Sequence, residues 1–190
     1  MIRCKDCFGI DLLCGDCMVK AHTDNPLHIV EVCKLLFFLT FINCFLLKEW
    51  TGNFFKRTTL KTLGLRVQLG HVGKKQCGGR RPAHTDFVVL HTNGIHNVGL
   101  DYCLCQSTEE VGDYWQQLMR RKWFPGSVLE PRTACTFEVL ELFHRLTLQG
   151  KMSLYDFYAG LEKRTDNTGT LKLKVDIMSV TKCSMSLILF

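Results

Sequence analysis

The first 28 residues of this 190-residue chain carry the pattern Cys4-x2-Cys7-x6-Cys14-x2-Cys17-x4-His22-x5-His28. No other feature restricts the fold as strongly. Two cysteines separated by two residues suit two corners of a metal tetrahedron. The short turn between them aims both thiolates at one ion, and neutral imidazoles can complete a tetrahedral shell. Residues 1–31 show little apolar periodicity, so they lack a core of their own. Metal binding supplies the missing folding free energy in such segments, on the order of 10 kcal/mol for structural zinc. The expected element is a zinc-stabilised Cys/His knuckle over residues 1–31.

Two pairings satisfy the spacing. Cys4, Cys7, Cys14 and Cys17 can share one ion, which leaves both histidines unused. In a cross-braced arrangement, Cys4, Cys7, His22 and His28 close one site while Cys14 and Cys17 hold half of another. Cross-bracing uses both histidines and is preferred. Its six ligands do not fill two tetrahedra, so two more must lie before Met1 or elsewhere in the chain. The order and spacing resemble the later part of a B-box zinc finger, with a longer gap between the last two pairs.

The chain holds eleven cysteines, an odd number, and begins Met-Ile-Arg-Cys-Lys-Asp-Cys with no apolar signal region. Both features argue against a secreted disulfide scaffold and for a reducing, intracellular setting. A second group of thiols follows. Cys103-x-Cys105 sits on an expected strand, where residues two apart share a face. Cys77 lies in a glycine-containing connection, and His71 or His84 can serve as fourth ligand. Three ordinary reduced cysteines are the alternative. Cys33, Cys44, Cys135 and Cys183 have no partner spacing.

Charge is uneven along the chain. Residues 1–31 carry three basic and five acidic groups, whereas residues 48–85 carry nine basic groups against Glu49 alone, out of a net +6 for the whole. A concentrated basic stretch suits phosphate contacts. The candidate nucleic-acid-binding residues are Lys56, Arg57, Lys61, Lys74, Lys75, Arg80 and Arg81. A solvated loop surface is the plainer alternative.

The remaining periodicity implies an α+β chain. Residues 35–47, LLFFLTFINCFLL, are too few to span a bilayer as a helix, about 20 Å against about 30 Å. They read as a buried helix or strand, or as part of an insert (32–48) foreign to the native fold. Residues 49–108 form a basic region. In it, residues 63–70, the run DFVVLHT and the run IHNVGLDYCLC make a three-stranded antiparallel meander. Asn93-Gly94 forms its type I′ turn. Residues 109–169 are helical. One helix runs from Glu109 to Trp123, and a second is capped by Thr136 and closed by Gly150. A third is capped by Ser153, with Leu154, Phe157, Tyr158 and Leu161 facing the core. Residues 170–190 show weak periodicity and read as a weakly ordered tail.

No phosphate loop, nucleophile elbow or HExxH helix is present, and Asp101 reads as a solvated hairpin residue. The four-ligand metal sets leave no open position for water, which marks structural rather than catalytic zinc. No enzymatic activity is expected.

The segments RCKDCFGIDLLCGDCMVKAHTDNPLHIV, EWTGNFFKRTTLKTLGLRVQLGH, NGIHNVGLDYCLC, RRKWFPGSVLEPRTACTFEVLELFH and LEKRTDNTG are similar, in that order, to the CxC2-like cysteine-cluster region of Kyakuja–Dileera–Zisupton (KDZ) transposases, mobile-element proteins abundant in fungi. The resemblance covers most of residues 3–169. It implies a zinc-chelating region holding one or two structural ions, placed before an RNase H-like core. The matching positions are Cys4, Cys7, Cys14, Cys17, His22, His28, Cys77, Cys103 and Cys105. It further implies a nuclear, non-membrane protein that partners DNA, other transposase chains or protein partners. A B-box-like protein-interaction adaptor is the competing class. Family members carry a further upstream Cys pair and lack the 32–48 insert. The resemblance fades after Thr168-Gly169, which implies a truncated or decayed copy.

Overall fold

A computed structural model describes residues 1–9, 11–35, 46–48, 58–70, 78–105 and 111–166. The chain divides into two compact units, Met1–Arg66 and Val67–Phe190.

The described residues of the first unit form a small antiparallel sheet and a short helix. Strand β1 (Ile2–Cys4) pairs with β2 (Val30–Leu35) in the register Ile2↔Val32 and Cys4↔Val30. Strand β3 (Leu46–Lys48) pairs with the far end of β2, Cys33 opposite Lys48 and Leu35 opposite Leu46. The two ends of the apolar insert are therefore paired strands, and residues 36–45 between them lie outside the described residues. Helix α1 (Gly15–Ala21) starts at Cys14, whose sulfur accepts from the Cys17 N–H. The core of the unit is Ile2, Cys4, Met18, Val30, Leu60 and Leu65. Among the described residues, these six buried side chains form one apolar cluster, with Leu13, Val19 and Leu63 packed against it.

The second unit begins at Val67, within strand β4 (Arg66–Gln68), and its described residues build two sheets. In the first, β4 and β5 (Arg80–Pro82) flank β8 (Gly99–Cys103). In the second, the order is β7 (Gly94–Asn97), β6 (Val88–His91), β10 (Thr133–Thr136), β9 (Trp123–Pro125). Strand β10 runs parallel to β6 and antiparallel to β9, so this sheet is mixed. Helices α3 (Phe137–Gly150) and α4 (Leu154–Thr165) cover one face, where Val88, Leu90, Ile95 and Cys135 meet Val139, Leu140, Tyr158 and Leu161. Helix α2 (Tyr114–Arg120) precedes β9.

The α+β class holds, but the expected meander does not. The chain breaks at Val98, which sends β7 to one sheet and β8 to the other; β4 pairs with β8 and not with β6. The hairpin forms one residue earlier than expected. His91 faces Gly94, so Thr92 and Asn93 make the turn, and Asn93 lacks the positive φ that a type I′ turn needs. Gly94 instead begins β7 at φ +145°, where a Cβ would fall 2.8 Å from Thr165 Oγ1. That close approach lets the Ile95 N–H donate to Thr165 Oγ1 at 2.7 Å, tying the hairpin to α4.

The helical segment is also interrupted. The expected 109–123 helix shrinks to α2, capped by Asp113 with Gln116, and Trp123 is a buried strand residue. Thr136 does cap α3 and Ser153 does cap α4. The closing residue of α3 is Lys151 in the left-handed conformation, not Gly150, and Val139 and Leu140 are its buried residues. Asp101 is buried on β8, covered on both sides by β4 and β5, and not solvated.

Candidate metal centre

One long-range fastening and two local devices bring the first ligands together. Cys4 ends β1, and the following bend carries Cys7. That bend is fastened to the residues beside His28 by Lys5 N–H donating to Ile29 O (2.9 Å) and Ile29 N–H donating to Asp6 Oδ2 (2.6 Å). His22 stands at the C-terminal end of α1, its N–H donating to the Met18 carbonyl. Two successive turns, Asn25 N–H to His22 O and His28 N–H to Asn25 O, return the chain so that His28 faces the same point.

Cys4, Cys7, His22 and His28 each offer one ligand atom, and these atoms all lie within 4.8 Å of one another. Cys7 Sγ is 3.3 Å from His22 Nε2 and 3.3 Å from His28 Nδ1, while Cys4 Sγ is 3.5 Å from His28 Nδ1. Sulfur and nitrogen ligands of one tetrahedral ion are separated by about 3.5 Å, given bonds of about 2.3 and 2.0 Å. The observed edges fit. The outer shell fits as well. His22 Nδ1–H donates to the Met18 carbonyl at 2.9 Å, which fixes the tautomer and turns the Nε2 lone pair toward Cys7. Burial, with His22 alongside, lowers the His28 pKa and favours the neutral imidazole that ligates metal. Burial raises the Cys4 thiol, so without a cation it stays protonated.

The four gathered residues are those of the cross-braced arrangement. Cys14 and Cys17 stand outside this group, both exposed, on the first turn of α1. The Cys17 N–H lowers the Cys14 pKa, and Cys14 in turn raises that of Cys17.

The second thiol group is only partly within the described residues. Cys103 closes β8 fully buried, and Cys105 lies two residues on, past the strand, its N–H donating to Cys103 Sγ at 3.4 Å. Gly70 stands directly against Cys103, since a Cβ there would fall 2.3 Å from Cys103 Cβ. Gly79 lies against the backbone of Leu104 and Cys105. His71 and Cys77, between those glycines in sequence, lie outside the described residues. His84 Nδ1 accepts from the Asp86 N–H. One functional neighbour escaped the sequence reading: Gln117, buried on α2, accepts from Cys103 N–H (2.9 Å) and donates to Cys103 O (3.0 Å). A single glutamine in an amphipathic helix gives no signal of such a role.

Of the candidate nucleic-acid-binding residues, Arg80 and Arg81 are exposed on the edge strand β5 and Lys61 is half-buried in the turn before β4. Lys56, Arg57, Lys74 and Lys75 lie outside the described residues. Among the described residues, no helix is long and apolar enough to cross a membrane.

Fold and site together define an α+β chain with a Cys/His group able to hold a metal ion. The profile of the CxC2-like cysteine cluster associated with KDZ transposases matches residues 60–169, and the chain belongs to that family. The matched span contains Cys77, Cys103 and Cys105, whereas the Cys4–His28 group precedes it. No curated protein and no solved structure matches the chain.

Proposed function

We propose that this chain is a non-catalytic, zinc-built module of a KDZ-type transposase that works in the nucleus and engages DNA. The observation that carries the metal part is the convergence of Cys4, Cys7, His22 and His28 within 4.8 Å. Two thiolates and two imidazoles are a zinc set, and four protein ligands leave no place for a reacting water. The ion would therefore hold β1, α1 and β2 together and do no chemistry. The set also has the order of ligands found in B-box-like zinc modules. Cys103 and Cys105, with Cys77 and His71, are proposed as a second site.

The nucleic-acid part is supported by the net +8 of residues 48–85 and by the exposure of Arg80 and Arg81 on a strand edge. Charge reversal of Lys74, Lys75, Arg80 and Arg81 together should weaken duplex-DNA binding and flatten its dependence on salt. Salt-insensitive binding, or binding unchanged by the four substitutions, rejects the role and favours the adaptor class. Elemental analysis of purified protein counts the ions: two per chain supports both sites, and one retires the Cys103–Cys105 site.

A further inference from the structure

Apart from the metal-binding group, the second unit carries a cleft of about 190 Å³. The lining residues that matter are Arg81 from β5, His84, Tyr102 from β8, Tyr114 from α2, and Glu130 and Arg132 ahead of β10. The wall is rich in donors. The Tyr102 and Tyr114 rings stack with centroids 4.3 Å apart. Arg81 Nη1 donates to the Tyr114 hydroxyl at 2.9 Å and its guanidinium lies 5.8 Å from the same ring. That bond occupies a Tyr114 lone pair and leaves the Tyr114 proton to be donated. His84 Nδ1 accepts from the Asp86 N–H at 3.1 Å, so the neutral ring carries its proton on Nε2. The lining carries two guanidinium groups, of Arg81 and Arg132, and a single carboxylate, of Glu130.

Tyr102 adds an independent observation. It is 4% exposed, and its hydroxyl is buried without a hydrogen-bond partner among the described residues. Buried polar groups are nearly always satisfied, and an exception needs a cause. Burial, reinforced by Tyr114, also pushes the Tyr102 hydroxyl above the ordinary phenol range, which keeps it an O–H donor. A group bringing acceptor oxygens into the cleft supplies what this hydroxyl lacks.

We infer that the cleft binds a phosphate group, with Arg81, Arg132, His84 and the Tyr102 hydroxyl as donors. Donors from separate segments suit a tetrahedral group with several acceptor oxygens, and planar guanidinium forks match phosphate geometry. The inference rests on the nucleic-acid reading only for the source of the phosphate, which is either a nucleic-acid strand or a free phosphate compound.

The test is an NMR titration of the full zinc-loaded chain with inorganic phosphate, against chloride at matched ionic strength. The His84 ring signals should shift saturably with phosphate alone. Arg132→Gln and Tyr102→Phe should each weaken phosphate about tenfold or more, as expected for one hydrogen bond to a charged group. Tyr102→Phe should leave Tm unchanged or raise it, because it removes an unpartnered buried hydroxyl. Equal shifts with chloride overturn the inference, as do unaltered affinities in both variants. A lowered Tm with unchanged affinity assigns the hydroxyl a structural role and also overturns it. Competing oligonucleotides with and without a 5′-phosphate then separate the sources. Competition by both assigns backbone phosphates, and competition by the phosphorylated one alone assigns a strand end. Competition by neither keeps the phosphate cleft and removes nucleic acid as its source.

Discussion

Replacing Cys7 by alanine separates a metal ligand from a packing residue. Cys7 is exposed and makes no part of the Ile2–Met18–Val30 core, and its close neighbours are the nitrogens of His22 and His28, each 3.3 Å away. As an ordinary exposed residue it should matter by no more than about 0.5 kcal/mol. As one of four ligands it carries about a quarter of the binding free energy of a structural ion. That share is about 3 kcal/mol, taken from the roughly 10–16 kcal/mol of structural zinc. The expected result for Cys7→Ala is a loss of zinc affinity of about 100-fold, with matching destabilisation of the first unit. The assay is urea unfolding with and without chelator, followed through the Met18 methyl signal, which is buried and reports on this unit alone. With chelator, parent and variant should coincide. A variant that loses less than about 1 kcal/mol when zinc is present, or as much without zinc as with it, would falsify the proposed coordination.

Two further substitutions test the second unit. Gly94→Ala places a methyl 2.8 Å from Thr165 Oγ1 at φ +145° and should cost about 1–3 kcal/mol in urea unfolding, part of it restored by adding Thr165→Ala. A neutral effect would mean the hairpin does not seat on α4 as described. Gln117→Met keeps the volume but removes the side chain's bonds to Cys103 and Gly112, for an expected cost of about 2–4 kcal/mol by tryptophan-monitored unfolding. A loss below about 1 kcal/mol would refute the role assigned to this glutamine.

The caps show what a sequence can carry. Thr136 and Ser153 start their helices because each hydroxyl accepts from an N–H three residues on, a decision made within one turn of chain. Strand β10 was not legible in the same way. Thr133–Thr136 is buried throughout, between β6 and β9, so it shows none of the polar–apolar alternation that marks a strand with one wet face. The hairpin turns one residue before the Asn-Gly pair because Gly94 is required in the strand, by its tight contact with Thr165, 71 positions later, and not in the turn. Among the site residues, the candidate ligands were visible from spacing alone. Gln117 and the Tyr102–Tyr114 pair were not, since neither residue type nor position distinguished them from surface and core neighbours.

By itself, then, the sequence determined the supply of ligands, the α+β composition and the helix starts, all of which depend on side chains within a few residues of one another. Tertiary structure decided which four of the six N-terminal ligands meet, through the fastening of residues 5–6 to Ile29 and the turns from His22 to His28. It also decided that one expected strand would split between two sheets and that a donor-lined cleft would form from separate segments between Arg81 and Arg132. Such choices rest on which distant segments can bury each other's surface and satisfy each other's hydrogen bonds. Local spacing does not contain that information.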